Sequence, residues 1–321
     1  MPAATGGTGA PFWSVAIPTF NPRRDYLEAA LRGVLDQDPG PDEMEILVVD
    51  DASTTGSIEA WIREIAGDRV TFHREPRNLG LAGIWNRCIE RSRGKWIHIL
   101  HQDDVVLPGF YQALRRHPPD AGAAFCRWFI TDGEGVAGTW GPLERPEPGL
   151  LIDFPALLGT GVHVVCASIA VKRAVYESIG GFRPDLSHAL DWEMWMRIAA
   201  FYPIHYHPEP LATWRVHAGA TTAGQIRTGV NVRDIGNAIR IWRAYLPNGA
   251  GKEIARKSSR YWAMQGLVLA GMHLEKGDYQ VVRAQLAAAL SCSLSPSSLA
   301  MAARLCLRAA GNKLGRRPPC S

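Results

Sequence analysis

Along the first 130 residues, short apolar segments alternate with longer segments in which apolar and polar residues are mixed. Mainly apolar runs of strand length recur at intervals of roughly 25 to 30 residues. They are WSVAIPT (13–19), MEILVVDD (44–51), DRVTFHRE (68–75), KWIHILHQ (95–102) and AGAAFCRWFI (121–130). The longer blocks between them repeat apolar residues every three or four positions, as helices with one buried face do. This alternation predicts an α/β fold with a mostly parallel sheet covered on both faces.

Residue types at the block boundaries predict where the first two helices begin and end. Asn21 is predicted to cap the first helix, with Pro22 in its first turn. Ser53 or Thr54 is predicted to cap the second helix, and Gly67 to end it.

The proline-rich loop ERPEPG (144–149) separates this half from a second block. Its patterns predict a strand at 162–173, a helix at 191–202, a strand at 211–217 and mainly helices beyond about 232. The tail from 315 is expected to be disordered. The predicted divisions are a flexible N-terminus (1–12), an α/β domain (13–225, with halves 13–130 and 131–225) and a helical region (226–321).

Polar residues stand at four predicted strand ends, where parallel sheets bind their ligands. The four are Thr19 to Asn21, Asp50 to Ser53, Asn78 to Gly80, and His101 to Asp104. Two of these ends carry adjacent aspartates. Either pair alone fits a turn or a helix cap, but two pairs in one sheet can converge on one crevice. Paired carboxylates suit Mg²⁺ or Mn²⁺, which bridge protein and phosphate oxygens.

The glycine-rich and lysine-bearing phosphate loops of other nucleotide-binding folds have no counterpart after the first strand, which continues as IPTFNP. If nucleotide phosphates are bound, they are therefore expected to be held through a metal and not through a glycine-rich loop. The six cysteines form no C-x-x-C pair, which favours free thiols in a reducing cytosol. Signal-peptide and membrane-spanning patterns are not found, and a cytoplasmic protein is expected.

Charge is distributed unevenly along the chain. Residues 227–321 contain 15 Lys and Arg against 4 Asp and Glu, although the net charge of the whole chain is only +4. No nucleic-acid motif accompanies this excess, so nucleic acid is not expected as a partner. A basic helical surface fits peripheral contact with anionic headgroups at the inner face of the membrane. A helical lid or a dimer contact in a purely soluble enzyme is the alternative.

Six segments occur in a fixed order between residues 13 and 222: VAIPTFNP, EILVVDDAS, NLGLAGIWN, ILHQDDVVLP, GGFRPDLSHALDWEMWMR and WRVHAGATT. Together they resemble the signature of the family-2 inverting glycosyltransferases. The resemblance implies a GT-A type fold, with a Rossmann-like nucleotide-binding half, an acceptor half and, here, an added C-terminal helical region.

The resemblance also implies roles for the residues that match the motifs. Phe20, beside Pro18, Thr19 and Asn21, matches the place where the base of a nucleotide sugar packs. Asp51 matches the carboxylate that recognises the base, and Asp50 supports its turn. Asn78 and Gly80 match a loop near the nucleotide and sugar. Asp103 and Asp104 match the acidic motif that contacts ribose and binds the divalent cation, His217 a position near the metal or diphosphate, and Arg215 a phosphate contact.

On the acceptor side, Asp191 matches the family's catalytic base, which accepts the proton of the acceptor hydroxyl. Its alternative role is the N-cap of the following helix. Trp192 fits either the core or a surface on which a sugar stacks. Gly181 matches the turn ahead of a loop, 183–190, that is expected near the acceptor.

Three positions depart from many relatives: His101 in place of an aspartate, Trp85 in place of an arginine, and Leu190 in place of an acidic residue. The resemblance implies metal-dependent, inverting transfer of a sugar from a nucleoside diphosphate sugar to a hydroxyl of a saccharide or lipid-linked acceptor, in surface polysaccharide or glycolipid assembly. The alternatives are a sugar nucleotidyltransferase and a noncatalytic nucleotide-sugar-binding homologue.

Overall fold

The computed structural model describes residues 9–217, 219–247 and 249–314. Most of the predicted flexible N-terminus and all of the predicted tail from 315 lie outside the described residues. The chain forms two compact units. The first comprises Met1–Asp185 and Leu190–His217, and the second comprises Leu186–Ala189 and Ala218–Ser321.

One mixed sheet of ten strands forms the centre of the first unit. The strands are β1 (Trp13–Thr19), β2 (Met44–Asp50), β3 (Thr71–Arg74), β4 (Trp96–Ile99), β5 (Val105–Val106), β6 (Ala123–Thr131), β7 (Ala137–Trp140), β8 (Gly149–Leu150), β9 (Ile169–Lys172) and β10 (Ile204–Arg215). Their order is β3-β2-β1-β4-β9-β6-β10-β5, with β7 beside β6 and β8 beside β10. The first four strands in this order are parallel, whereas β9 runs antiparallel to both β4 and β6.

Helices cover this sheet and bury their apolar faces against it. They are α1 (Arg24–Leu35), α2 (Ile58–Ala66), α3 (Gly80–Arg91), α4 (Phe110–Leu114), α5 (Phe154–Leu158), α6 (Arg173–Ile179) and α7 (Leu190–Phe201). In α1, the apolar residues at helical spacing are the buried ones: Tyr26, Leu27, Ala30, Leu31 and Val34. The predicted fold class is confirmed: a mixed sheet, parallel from β1 to β4, lies between helices.

The second unit is helical. Its elements are α8 (Thr221–Thr228), α9 (Val230–Trp242), α10 (Ala250–Glu275), α11 (Tyr279–Cys292) and α12 (Pro296–Leu314). Small and aliphatic side chains from α10, α11 and α12 form its core, among them Ala263, Leu267, Ala270, Leu274, Val282, Ala289, Ala302 and Leu305. Among the described residues, no helix is both long enough and apolar enough to cross a membrane.

Several local predictions are wrong, for identifiable reasons. Asn21 does not cap α1, which begins at Arg24; its Oδ1 instead accepts hydrogen bonds from the Thr54 and Thr55 backbones. Neither predicted cap begins α2, whose N-cap is Ser57, although Gly67 ends it as predicted.

Two further boundaries differ on the acceptor side. The strand predicted at 162–173 is confined to β9, because Cys166–Ser168 form a 3-10 turn. Asp191 is not an N-cap, because α7 already begins at Leu190 and places it in the first turn. The domain boundary at 225 stays a prediction; that residue lies within α8.

Candidate functional site

Three of the predicted ligand-binding strand ends meet at one edge of the sheet. β1 lies between β2 and β4 and is parallel to both, so the carboxyl ends of the three strands are neighbours. Thr19 is paired in register with Asp50, and its hydroxyl donates to the Asp50 carboxylate at 3.2 Å. Pro18 precedes it within β1. The residues after β1, β2 and β4 therefore surround one region.

Asp50 is a fully buried carboxylate that organises the turn after β2. Its oxygens accept hydrogen bonds from the Ser53 backbone N–H at 3.1 Å and from the Ser53 hydroxyl. An Arg74 guanidinium nitrogen lies 3.4 Å from Oδ2. These partners come from β1, β3 and the turn itself, so Asp50 joins the ends of three strands.

Asp51 holds the loop that begins α3. Its Oδ1 accepts the Leu79 N–H at 2.6 Å, and its Oδ2 accepts the Gly80 N–H at 3.1 Å. The Asn78 amide in turn donates to the Asp51 carbonyl at 3.3 Å. Burial raises the pKa of Asp51, the two N–H bonds oppose that shift, and the Asp50 charge adds to it. The structure thus brings Asp51 together with Asn78 and Gly80, which follow it in the sequence by almost thirty positions.

The turns after β1 and β2 are both strained. Asn21 and Ala52 have φ angles of 45° and 57°, in the left-handed region that residues other than glycine rarely adopt. The Asn21 N–H donates to the Ser53 hydroxyl at 2.8 Å, which ties the two turns to each other. Strain of this kind costs on the order of 1 kcal/mol or more per residue and is concentrated at functional sites.

Phe20 presents its ring to solvent at the end of β1, with 46% of the residue exposed. Its backbone is held by Gln102: the Phe20 N–H donates to Oε1 at 2.8 Å, and the Gln102 amide donates back to the Phe20 carbonyl at 3.3 Å. An exposed ring on a fixed backbone suits stacking against a planar ligand. The sequence patterns did not identify Gln102, although it lies inside the acidic motif HQDD.

The turn after β4 gathers three potential metal ligands. One ligand atom from each of His101, Asp103 and Asp104 lies within 4.8 Å of the other two. The Asp104 Oδ1 accepts the Arg215 N–H at 2.8 Å, and its Oδ2 is 3.5 Å from His101 Nδ1. The pKa of Asp104 is raised, chiefly by burial and also by the neighbouring Asp103 charge, while the His101 ring opposes the shift.

The end of β10 supplies the remaining groups of this cluster. His217 Nε2 is 2.9 Å from Asp103 Oδ2, and Arg215 Nε donates to the Asp103 carbonyl at 2.9 Å. Both side chains pack on Tyr26 of α1: the guanidinium carbon lies 4.6 Å from the ring centroid, and the imidazole centroid 5.1 Å. The Tyr26 hydroxyl donates to the Gly133 carbonyl at 3.0 Å. The sequence patterns assigned Tyr26 only to a helix face and missed this contact.

His101 lies between the acidic turn and the core. Its ring stacks on Trp85 with centroids 4.8 Å apart. Burial disfavours the imidazolium, but Cys166 and Asp104 beside the ring outweigh it and raise the pKa of His101. Burial also raises the pKa of the Cys166 thiol to about 11, and the charges of Asp191 and Asp104 act on it in the same direction. Asp191 and Asp104 therefore both lie within electrostatic range of this thiol.

Of the residues predicted for the acceptor side, Asp191 is accessible to solvent, whereas Trp192 and Gly181 are closely packed. Asp191 is partly exposed in the first turn of α7, where its Oδ1 accepts the Trp192 N–H at 2.7 Å. Trp192 is buried, and its indole N–H donates to the Leu158 carbonyl at 2.7 Å, which favours its role in the core. Gly181 packs so closely that an added Cβ would lie 2.2 Å from Asn86 Oδ1.

The geometry can be set beside known proteins. The family model described as Glycosyl transferase family 2 matches residues 14–180. The chain belongs to glycosyl transferase family 2. An uncharacterized protein of Mycobacterium tuberculosis is 31% identical to this family-2 chain over 239 residues, which cover 70% of the chain and 73% of the relative. Two further relatives are longer, and the chain spans only 30% and 35% of their lengths.

Two solved structures are similar to this family-2 chain. S. aureus TarS in complex with UDP-GlcNAc has a TM-score of 0.60 at 15% identity, covering 78% of this chain and 71% of TarS. A mannosyltransferase from Pyrobaculum calidifontis, PcManGT, in complex with GDP-Man and Mn²⁺ has a TM-score of 0.59 at 21% identity, covering 97% and 89%. At these identities the similarity shows the GT-A fold alone.

Proposed function

We propose that this family-2 chain is a metal-dependent inverting glycosyltransferase. It moves a sugar from a nucleoside diphosphate sugar to a hydroxyl of a saccharide or lipid-linked acceptor, in surface polysaccharide or glycolipid assembly. The observation that carries the proposal is the cluster of His101, Asp103 and Asp104, with ligand atoms within 4.8 Å of one another beside the turn after β1. The nucleotide sugars bound by TarS and PcManGT, and the Mn²⁺ of the latter, support it.

The residues of the cluster fit a divalent cation. Carboxylate oxygens are the preferred ligands of Mg²⁺ and Mn²⁺, and the His101 imidazole would become a ligand only on giving up its proton. The raised pKa of Asp104 reflects a buried carboxylate beside a second one, a charge arrangement that a cation would relieve. A bound divalent cation would supply positive charge for the leaving diphosphate.

Three side chains of the site are suited to bind the nucleobase and the phosphates of the donor. The exposed ring of Phe20 offers a face on which a nucleobase stacks, and Asp51 stands after the neighbouring strand as a hydrogen-bond acceptor for the base. Arg215, packed on Tyr26 and bonded to Asp103, offers a guanidinium for phosphate oxygens.

Asp191 is the proposed base. As the acceptor hydroxyl attacks the anomeric carbon, a carboxylate must take its proton. Asp191 lies in the first turn of α7 and is partly exposed, so its carboxylate is accessible to an acceptor. Asp191, like Asp104, acts electrostatically on the Cys166 thiol.

A thermal-shift screen of UDP- and GDP-sugars with and without Mn²⁺ tests the donor. The correct donor should raise the melting temperature only when Mn²⁺ is present. With that donor, release of nucleoside diphosphate measures turnover even when water replaces the acceptor. Asp191→Asn should lower turnover at least about 100-fold and leave the thermal shift unchanged, because it removes the base and keeps the shape.

The exposed Asp120→Asn is the control for Asp191→Asn and should behave as the wild type. Turnover at the normal rate by Asp191→Asn would show that Asp191 is not the base. A thermal shift of equal size without Mn²⁺ would instead contradict metal dependence.

The proposal also places the enzyme in the cytoplasm, in peripheral contact with anionic lipid through its second unit. Arg256 and Arg260 are exposed on α10, and Val268 and Met272 are exposed apolar residues further along the same helix. Exposed basic and apolar side chains occur together on helices that bind anionic membrane surfaces. Co-sedimentation with phosphatidylglycerol vesicles but not with phosphatidylcholine vesicles is the expected result.

A further inference from the structure

A buried carboxylate of the helical unit holds the backbone that leads into α7. Asp234 of α9 accepts three consecutive backbone N–H groups with one oxygen, Oδ2: Ser187 at 2.8 Å, His188 at 2.7 Å and Ala189 at 3.0 Å. Asp234 is 5% exposed. Three charge-assisted bonds to a buried oxygen fix this segment far more tightly than a solvent-exposed loop is held.

Gln225 of α8 adds two bonds to the same segment. Its amide donates to the Ser187 carbonyl at 2.7 Å, and its Oε1 lies 2.7 Å from His188 Nδ1. Leu186–Ala189 accordingly clusters with the helical unit and not with the sheet unit that precedes and follows it. This part of the predicted acceptor-side loop is thus hydrogen-bonded to the C-terminal helices.

The other end of the loop is held separately. Asn86 of α3 accepts the Phe182 N–H at 2.7 Å and donates to the Phe182 carbonyl at 2.9 Å. Arg197 donates to the Gly181 carbonyl at 3.1 Å and pairs with the buried Glu193. Along the chain, residues 183–186 therefore lie between a segment bonded to Asn86 and Arg197 and a segment bonded to Asp234.

We propose that Asp234 is a positioning residue for the transfer reaction. Ala189 is joined directly to Leu190, where α7 begins, and Asp191 is the next residue. Asp234 holds residues 187–189 by three hydrogen bonds, and this segment is bonded directly to the first residue of α7. Loss of these bonds is therefore expected to loosen the backbone that leads to the proposed base. The inference rests on the proposed function, because it assigns Asp234 to the geometry of that base. A displacement of about 1 Å in a catalytic group lowers rates on the order of 100-fold.

The test compares two substitutions in the helical unit. Asp234→Ala removes the acceptor of three N–H groups, whereas Asp278→Ala removes the N-cap of α11, whose carboxylate accepts the Val281 N–H at 3.3 Å. Both should lower the melting temperature of the full-length protein, but only Asp234→Ala should disturb the backbone before α7. Asp234→Asn, which keeps an oxygen of the same shape, should recover most of the loss.

Three measurements are made on each variant: Mn²⁺-dependent thermal shift with the donor, release of nucleoside diphosphate, and hydrogen exchange of the amides of 187–189. We expect Asp234→Ala to keep the donor's KM, to lose kcat by about 10- to 100-fold and to exchange these amides faster. Asp278→Ala should keep the wild-type kcat. At a temperature below its melting transition, the amides of 187–189 should exchange as slowly as in the wild type.

Equal losses of kcat in Asp234→Ala and Asp278→Ala, or unchanged exchange in Asp234→Ala, overturn the positioning role. Faster exchange together with unchanged kcat also overturns it. Failure of the proposed function is recognised separately, by normal turnover in Asp191→Asn.

Discussion

The two Asp-Asp pairs at the ends of β2 and β4 have the same sequence but different surroundings. Asp50 and Asp51 accept hydrogen bonds from Thr19, Ser53 and the backbone of the α3 loop, and Arg74 lies beside Asp50. Asp103 and Asp104 have fewer donors: His217 lies beside Asp103, and the Arg215 N–H and His101 lie beside Asp104.

From this difference we infer that two adjacent aspartates after a buried strand can have either of two roles. Where the chain supplies donors, the carboxylates stabilise the turn and become part of the fold. Where the chain supplies fewer donors to two adjacent carboxylates, the buried charge costs more free energy and a cation lowers that cost. The first pair is therefore expected to act mainly on stability, and the second mainly on ligand binding.

The largest expected effect is on stability, at the first pair. Asp50→Ala removes the acceptor of the buried Ser53 N–H and hydroxyl and of the Thr19 hydroxyl. Leaving these donors unpaired should lower the free energy of unfolding by about 3 kcal/mol, measured by urea denaturation. Asp42→Ala, at an exposed position before β2, is the control and should be within about 0.5 kcal/mol of the wild type. A loss of under about 1 kcal/mol in Asp50→Ala would remove the contrast between the pairs.

The next effect is on metal-dependent binding, at the second pair. Asp104→Asn keeps an oxygen for the Arg215 N–H but removes one negative charge from the cluster. We expect binding of UDP or GDP with Mn²⁺, measured by calorimetry, to weaken by about 10- to 100-fold. Without metal, stability at pH 7 should be unchanged or higher. The raised pKa means that ionising Asp104 costs more in the folded than in the unfolded protein.

Asp51→Asn provides the matching variant on the first pair. It should weaken nucleotide binding without changing the requirement for Mn²⁺. If Asp104→Asn binds nucleotide with Mn²⁺ as the wild type does, the second pair is structural too, and the comparison fails.

The smallest effect concerns pH. Since the pKa of Asp104 lies above the ordinary aspartate value, protons compete with a cation at higher pH than they would at an exposed aspartate. Affinity for Mn²⁺ should fall as the pH is lowered from about 7 to about 5, by at most about tenfold per pH unit for one proton displaced. The dependence should be weaker in Asp104→Asn. Calorimetry at the two pH values measures it, and a pH-independent affinity in the wild-type protein would contradict it.

The fold was predictable from the sequence where local pattern decides it. β1, β2, β4 and β6 are continuous apolar runs, and their spacing by helices indicates a parallel arrangement. β5, β7 and β8 have only two to four residues and leave no pattern to detect. The antiparallel insertion of β9 between β4 and β6 follows from tertiary packing, which periodicity does not encode.

The candidate site was predictable as far as its motifs extend. The structure gathers the predicted residues of the four strand ends, because parallel strands bring their carboxyl ends together. Gln102, Tyr26 and Asn86 were missed because their decisive bonds join residues 82, 107 and 96 positions apart. The same limit explains Asn21: its amide serves the loop before α2, a partner 33 positions away that competes with the cap of its own helix.

The paired hydrogen bonds between Gln102 and Phe20 have a consequence for how ligands cooperate. They connect the backbone beneath an exposed aromatic ring to the residue immediately before Asp103. Two ligands that bind at the ends of such a bridge share one conformational equilibrium, and each then changes the affinity of the other by the same factor. Nucleobase and cation are therefore expected to show thermodynamic linkage, and a change at position 102 is expected to alter both affinities together.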